Sequence, residues 1–90
     1  VVALANNTRY GLAAGLWTRD AARAHRVAAR IDAGIVWVNT YRFLRWSTPY
    51  GGFKGSGVGR ENGVEAIDAY LETKTTVIST TGTFADPYAV

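Results

Sequence analysis

The sequence contains no cysteine and a single histidine, His25. The first absence excludes a disulfide framework, a thiolate metal site and a cysteine nucleophile among these residues. The second leaves no histidine pair for a metal, and no carboxylate stands at ligand spacing from His25, so that residue reads as a surface one and no metal site is expected. No uninterrupted run of about 18 apolar residues occurs, and no charged segment followed by an apolar one opens the chain, so neither a membrane span nor a leader is expected. The cytoplasm is the expected compartment. Asn6-Asn7-Thr8 fits a glycosylation pattern, but in that setting it reads as a turn. The ten lysines and arginines give a formal charge of +3 without collecting into a patch, which argues against nucleic acid as a partner. Methionine is also absent.

What is present is ample apolar material, 48% of 90 residues. A chain this short buries only about 60 to 65% of its unfolded surface, so a self-sufficient core is marginal. The apolar run at residues 1–5 has no helix start signal ahead of it, which favours a piece of a larger domain over a complete small one. Those residues read as the last turn of a helix, ended by Asn6-Asn7. Residues 11–18 suit a buried strand. Thr18 is placed to cap a helix running to about Ala33, with Asp20 in its first turn. Its Ala21, Ala24, Val27, Ala28 and Ile31 fall on one stripe, and Arg23, His25, Arg26 and Arg30 on the other, read as a solvated basic face. Gly34 is expected to end the helix in the left-handed position.

Residues 35–38, Ile-Val-Trp-Val, are a continuous apolar run of the kind buried in a parallel sheet. Strand, helix and strand make a βαβ unit, and the fold class is α/β. Asn39 then stands at the strand's carboxyl end, where open α/β sheets put ligands. Aromatic residues crowd 41–50, and by themselves they either line an apolar pocket or pack the loop down. A second helix is expected over residues 60–71, with Val64, Ile67 and Leu71 as its buried spine. Glu61, Glu65, Asp68 and Glu72 form an acidic stripe on it, which calls for a basic neighbour. Arg60 and Glu72 are too far apart on one helix to pair with each other, about 18 Å along the axis. A β-branched strand is expected over residues 73–79, presenting an edge that another chain would cover. Residues 80–90 read as an extended tail whose Phe84 and Tyr88 dock on a partner.

Six glycines lie between Gly51 and Gly63, a density that disfavours any regular element. With Tyr50, Phe53, Lys54, Arg60 and Glu61 among them, the segment reads as an ordered loop whose backbone passes close to something. Phosphate-cradling patterns fail. Gly57-Val58-Gly59 lacks the third glycine of a dinucleotide fingerprint at the required position, and Phe53-Lys54-Gly55-Ser56 has the wrong order for a Walker loop. A tight turn shaping a neighbouring pocket is the better reading.

Residues 49–61, Pro-Tyr-Gly-Gly-Phe-Lys-Gly-Ser-Gly-Val-Gly-Arg-Glu, closely resemble the signature near the C-terminus of NAD(P)-dependent aldehyde dehydrogenases. The resemblance extends without gaps over roughly residues 1–78, through residues 5–14, 17–20 and 34–39 upstream and Ala69-Tyr70 and Lys74-Thr75 downstream. It implies oxidation of an aldehyde to a carboxylic acid with NAD or NADP. In that family a cysteine thiolate attacks the aldehyde, hydride passes to the nicotinamide and a glutamate-activated water releases the acid. The nucleophile, the general base and the cofactor's phosphate-binding segment have no match in these residues, so the chain by itself is expected to be inactive. The resemblance makes residues 1–72 a C-terminal piece of the catalytic domain, 73–79 its oligomerisation strand and 80–90 a tail. It further implies that Leu44, Trp46 and Tyr50 line the substrate tunnel and that Glu61 is an accessory proton relay. Arg60, Glu72, Thr75 and Val77 would then meet another subunit of a homo-oligomer, a dimer or tetramer. Arg42 and Arg45 could steer an anionic aldehyde, or be solvated. The alternative is a free-standing oligomerising interaction module without catalysis.

Overall fold

Two parallel strands, β2 (Ala13–Leu16) and β3 (Ile35–Val38), flank a helix, α2 (Ala21–Ala28), in the computed structural model of the protein, which describes residues 1–83, 86, 88 and 89. Their register pairs Ala13 with Ile35 through Leu16 with Val38. This is the expected βαβ unit, the connection a parallel pair requires. Among the described residues Trp37 of β3 is the sole large apolar side chain that is buried, at 8% exposure. Its indole N–H donates to the Phe43 carbonyl at 2.8 Å, and its ring meets Tyr41 edge-on at 5.3 Å.

The helix starts later and ends earlier than the sequence suggests. Asp20, rather than Thr18, is the cap, its carboxylate accepting from the Arg23 amide at 3.0 Å. The Thr18 hydroxyl accepts from the Asp20 amide instead, at 3.1 Å, forming the turn that leads in. At the far end the amides of Arg30 and Ile31 reach back to Val27 and Ala28, tightening the chain out of the α-helix before Ala33. Gly34 is not left-handed. It is required for space, because a Cβ there would overlap the carbonyl of Gly51.

Before the βαβ unit stand a short helix, α1 (Val2–Asn6), and strand β1 (Tyr10–Gly11). The strand expected over 11–18 is thus split. Its first residue belongs to β1, which pairs antiparallel with β4 (Phe53–Lys54). The glycine segment therefore holds a short regular element after all, formed where two consecutive residues carry side chains. A polar staple ties these parts together. The Asn6 amide donates to the Arg30 carbonyl at 2.8 Å and accepts from the Asp32 N–H at 2.9 Å, while Lys54 Nζ reaches the Asn6 carbonyl at 3.0 Å and Asp32 Oδ2 at 3.2 Å.

The second helix differs most from expectation. It is a 3-10 helix, Val64–Tyr70, and Arg60 and Glu61 lie outside it. Glu61 is held in a bridge with Tyr50, and Gly63 at φ 72 turns the chain before the helix begins. The expected spine is not buried, with Val64 83% exposed. Helical stability comes mainly from packing one face, and no described element covers this one. Residues 73–79 form no ladder with any described residue, for want of a partner strand, and Thr75 and Val77 are exposed. Of the two residues expected to dock the tail, Tyr88 is exposed and Phe84 lies outside the described residues.

Candidate functional site

The glycine segment closes on itself at its base. The amides and carbonyls of Tyr50 and Glu61 bond reciprocally, both at 2.7 Å, and the Gly63 amide adds a bond to the Trp46 carbonyl at 2.9 Å. Inside, Arg60 Nη1 donates to the carbonyls of Gly52 at 3.1 Å and Gly59 at 2.6 Å, and its guanidinium lies 5.2 Å from the centre of the Phe53 ring. The Ser56 hydroxyl accepts from the Gly11 amide at 3.0 Å, fastening the loop to β1. The amides of Gly55, Ser56 and Gly57 point at carbonyls of Arg9, Phe53 and Lys54. With those donors satisfied internally, they form no anion-binding nest.

The closure places Tyr50 and Glu61 on the same cavity, of about 360 Å³, together with Leu12, Val58, Arg60 and Ala69. That volume is at the lower end of small-molecule sites. Leu44 and Trp46 do not line it. Trp46 is 86% exposed, and its backbone carbonyl accepts from the Gly63 amide at the closure. Of the three residues expected to share a wall, Tyr50 lines this cavity, whereas Leu44 and Trp46 are 43% and 86% exposed. Arg60, expected at a subunit interface, is turned inward by its two carbonyl partners. Glu72, Thr75 and Val77 are exposed.

A larger cavity, about 810 Å³, opens at the carboxyl ends of β2 and β3 between Trp17, Arg19, His25, Val38 and Asn39. The sequence reading named Asn39 there but not Trp17, although the last residues of two parallel strands necessarily lie side by side. The Asn39 side chain is not free for a ligand. Its Oδ1 accepts from the Thr18 amide and its Nδ2 donates to the Thr18 carbonyl, both at 2.9 Å, so it acts as one more rung of the sheet. No cluster of three metal-binding side chains occurs among the described residues.

A sequence model of the aldehyde dehydrogenase family matches residues 1–76. Betaine aldehyde dehydrogenase 2 of Rhizobium meliloti is 53% identical over 79 residues, which are 88% of this chain and 16% of that protein. The 4-trimethylaminobutyraldehyde dehydrogenase of Oryzias latipes is 50% identical over 80 residues, 89% of this chain and 16% of its own length. Among solved structures, the aldehyde dehydrogenase KauB from Pseudomonas aeruginosa superposes with a TM-score of 0.81 at 48% identity, over 83% of this chain and 15% of that one. The NAD+ complex of the Bacillus cereus aldehyde dehydrogenase gives 0.78 at 48% identity, over 79% of this chain and 14% of that one. The chain thus spans about a sixth of the length of the curated relatives it matches.

Proposed function

The chain belongs to the aldehyde dehydrogenase family, and from that premise we propose that it is the C-terminal part of an enzyme oxidising an aldehyde to a carboxylic acid with NAD or NADP. The observation that carries this reading is the Tyr50–Glu61 closure, which sets an aromatic ring and a carboxylate on one cavity. Tyr50 is the inner wall of the substrate tunnel. Leu44 and Trp46 are its outer wall, facing residues supplied by the rest of the enzyme. Glu61 serves as the accessory carboxylate that passes a proton.

Similar structures include an NAD+ complex, which supports the cofactor assignment. The glycine loop itself does not fit a dinucleotide, since its amides are bonded to this chain's own carbonyls. Cofactor binding therefore belongs to other residues of the enzyme. The exposed residues 73–79 act as the oligomerisation strand, and Arg60, Glu72, Thr75 and Val77 meet the other subunit. The exposure of residues 73–79, 90% at Val77 and 77% at Ile78, is what a segment covered by another chain would show by itself.

The test is a chimaera in which the matched segment of the Rhizobium meliloti enzyme is replaced by this one. It is expected to form NADH from an aldehyde, with Glu61→Gln lowering kcat roughly tenfold or more. The 90-residue chain alone is expected to give no turnover. A folded but inert chimaera, or hydride transfer by the isolated chain, would overturn the proposal.

A further inference from the structure

From Ala33 to Arg60 the chain has no carboxylate, and its only charges there are Arg42, Arg45, Lys54 and Arg60. Two of these are engaged. Lys54 pairs with Asp32 at 3.2 Å, and Arg60 holds two carbonyls of the glycine loop. Arg42 and Arg45 form no ion pair with any described residue and are exposed on either side of Leu44. Their positions are nonetheless defined. The Arg42 guanidinium lies 5.3 Å from the centre of the Tyr41 ring, and that of Arg45 lies 5.3 Å from the centre of the Phe43 ring. The backbone between them is pinned by the Trp37 indole, and the Thr48 amide closes a turn onto the Arg45 carbonyl at 2.9 Å. Arg42 also has φ 58, a conformation uncommon for a residue that is neither glycine nor asparagine. Such departures cluster at sites of function.

We infer that the aldehyde admitted past this wall carries a carboxylate at its far end, and that Arg42 and Arg45 select for that group and against an aldehyde with a fixed positive charge. The inference rests on the reading of residues 41–50 as tunnel wall. A guanidinium presents a planar fork of donors that matches a carboxylate. A trimethylammonium group would instead need the open face of an aromatic ring, and here a cation already lies over the Tyr41 and Phe43 rings. It would also meet two like charges that have no ion-pair partner among the described residues. The consequence is a preference set by charge, which added salt weakens.

The 90-residue chain is titrated with 4-carboxybenzaldehyde and with 4-(trimethylammonio)benzaldehyde while the NMR signals of the arginine side chains and the Trp46 indole are followed. Saturable shifts of the Arg42 and Arg45 signals are expected with the carboxylate alone. They should weaken at high salt and vanish in the Arg42→Gln, Arg45→Gln double variant. In the chimaera described above, the same double substitution should lower the ratio of kcat/KM for the carboxylate over the trimethylammonium aldehyde roughly tenfold, mostly through KM, as expected for the loss of a charge-assisted hydrogen bond. Equal use of both aldehydes by an active chimaera, or an unchanged ratio in the double variant, overturns the inference and leaves the dehydrogenase reading standing. A chimaera inert toward both aldehydes counts against the dehydrogenase reading instead, and the titration of the chain then decides the role of the two arginines.

Discussion

Gly34 and Asn6 each do work disproportionate to their size. Gly34 lies where the end of the α2 connection crosses the glycine segment, with no room for a methyl group beside the Gly51 carbonyl. Gly34→Ala is expected to lower stability by about 2 kcal/mol, the scale of overpacking a fitted contact, seen as a lower urea midpoint with an unchanged slope. The glycine was legible as the end of a helix, but its reason was not. A left-handed end is a local property that neighbours in sequence announce, whereas the obstacle is a carbonyl 17 positions away whose approach depends on the fold. Asn6 likewise read as a residue that ends a helix, and it is the last residue of α1. Its bonds to Arg30 and Asp32 depend on the parallel pairing of β2 with β3, which brings the end of the α2 connection back beside the residues after α1.

Among the elements, β3 and the βαβ connection were the most legible, because a four-residue β-branched and aromatic run has few other uses. The second helix was the least. Val64 and Ile67 are three apart, a spacing that α and 3-10 helices share, and the two kinds diverge only afterwards. An α-helix would bring Leu71 onto that stripe, whereas three residues per turn bring Tyr70. The observed element takes the second course and leaves the stripe exposed. The bonds at its two ends are long, 3.4 Å from the Ala66 amide to the Gly63 carbonyl and 3.4 Å from the Leu71 amide to the Asp68 carbonyl. Hydrogen exchange should therefore divide the chain, with amides of residues 64–70 exchanging close to the unprotected rate and those of β3 protected most strongly. Comparable protection in both elements would mean that the 3-10 helix is covered in solution.

At the scale of the molecule, the chain extends 66 × 33 × 27 Å with a single large buried side chain among the described residues. The resemblance seen in residues 49–61 agrees with the family match over 1–76. Of the aromatic residues read at 41–50, Tyr50 lines the cavity of the glycine segment and Trp46 does not, a difference that depends on the Tyr50–Glu61 closure and that composition alone does not carry. The arrangement of the three tryptophans has a consequence for fluorescence. Trp17 and Trp46 are 66% and 86% exposed, whereas Trp37 is 8% exposed. A dissolved collisional quencher such as iodide should extinguish the red-shifted light of the first two and spare a bluer residual emission. That residue of light comes from the strand pair alone, so its loss on heating or in denaturant times the melting of the βαβ unit separately from everything attached to it.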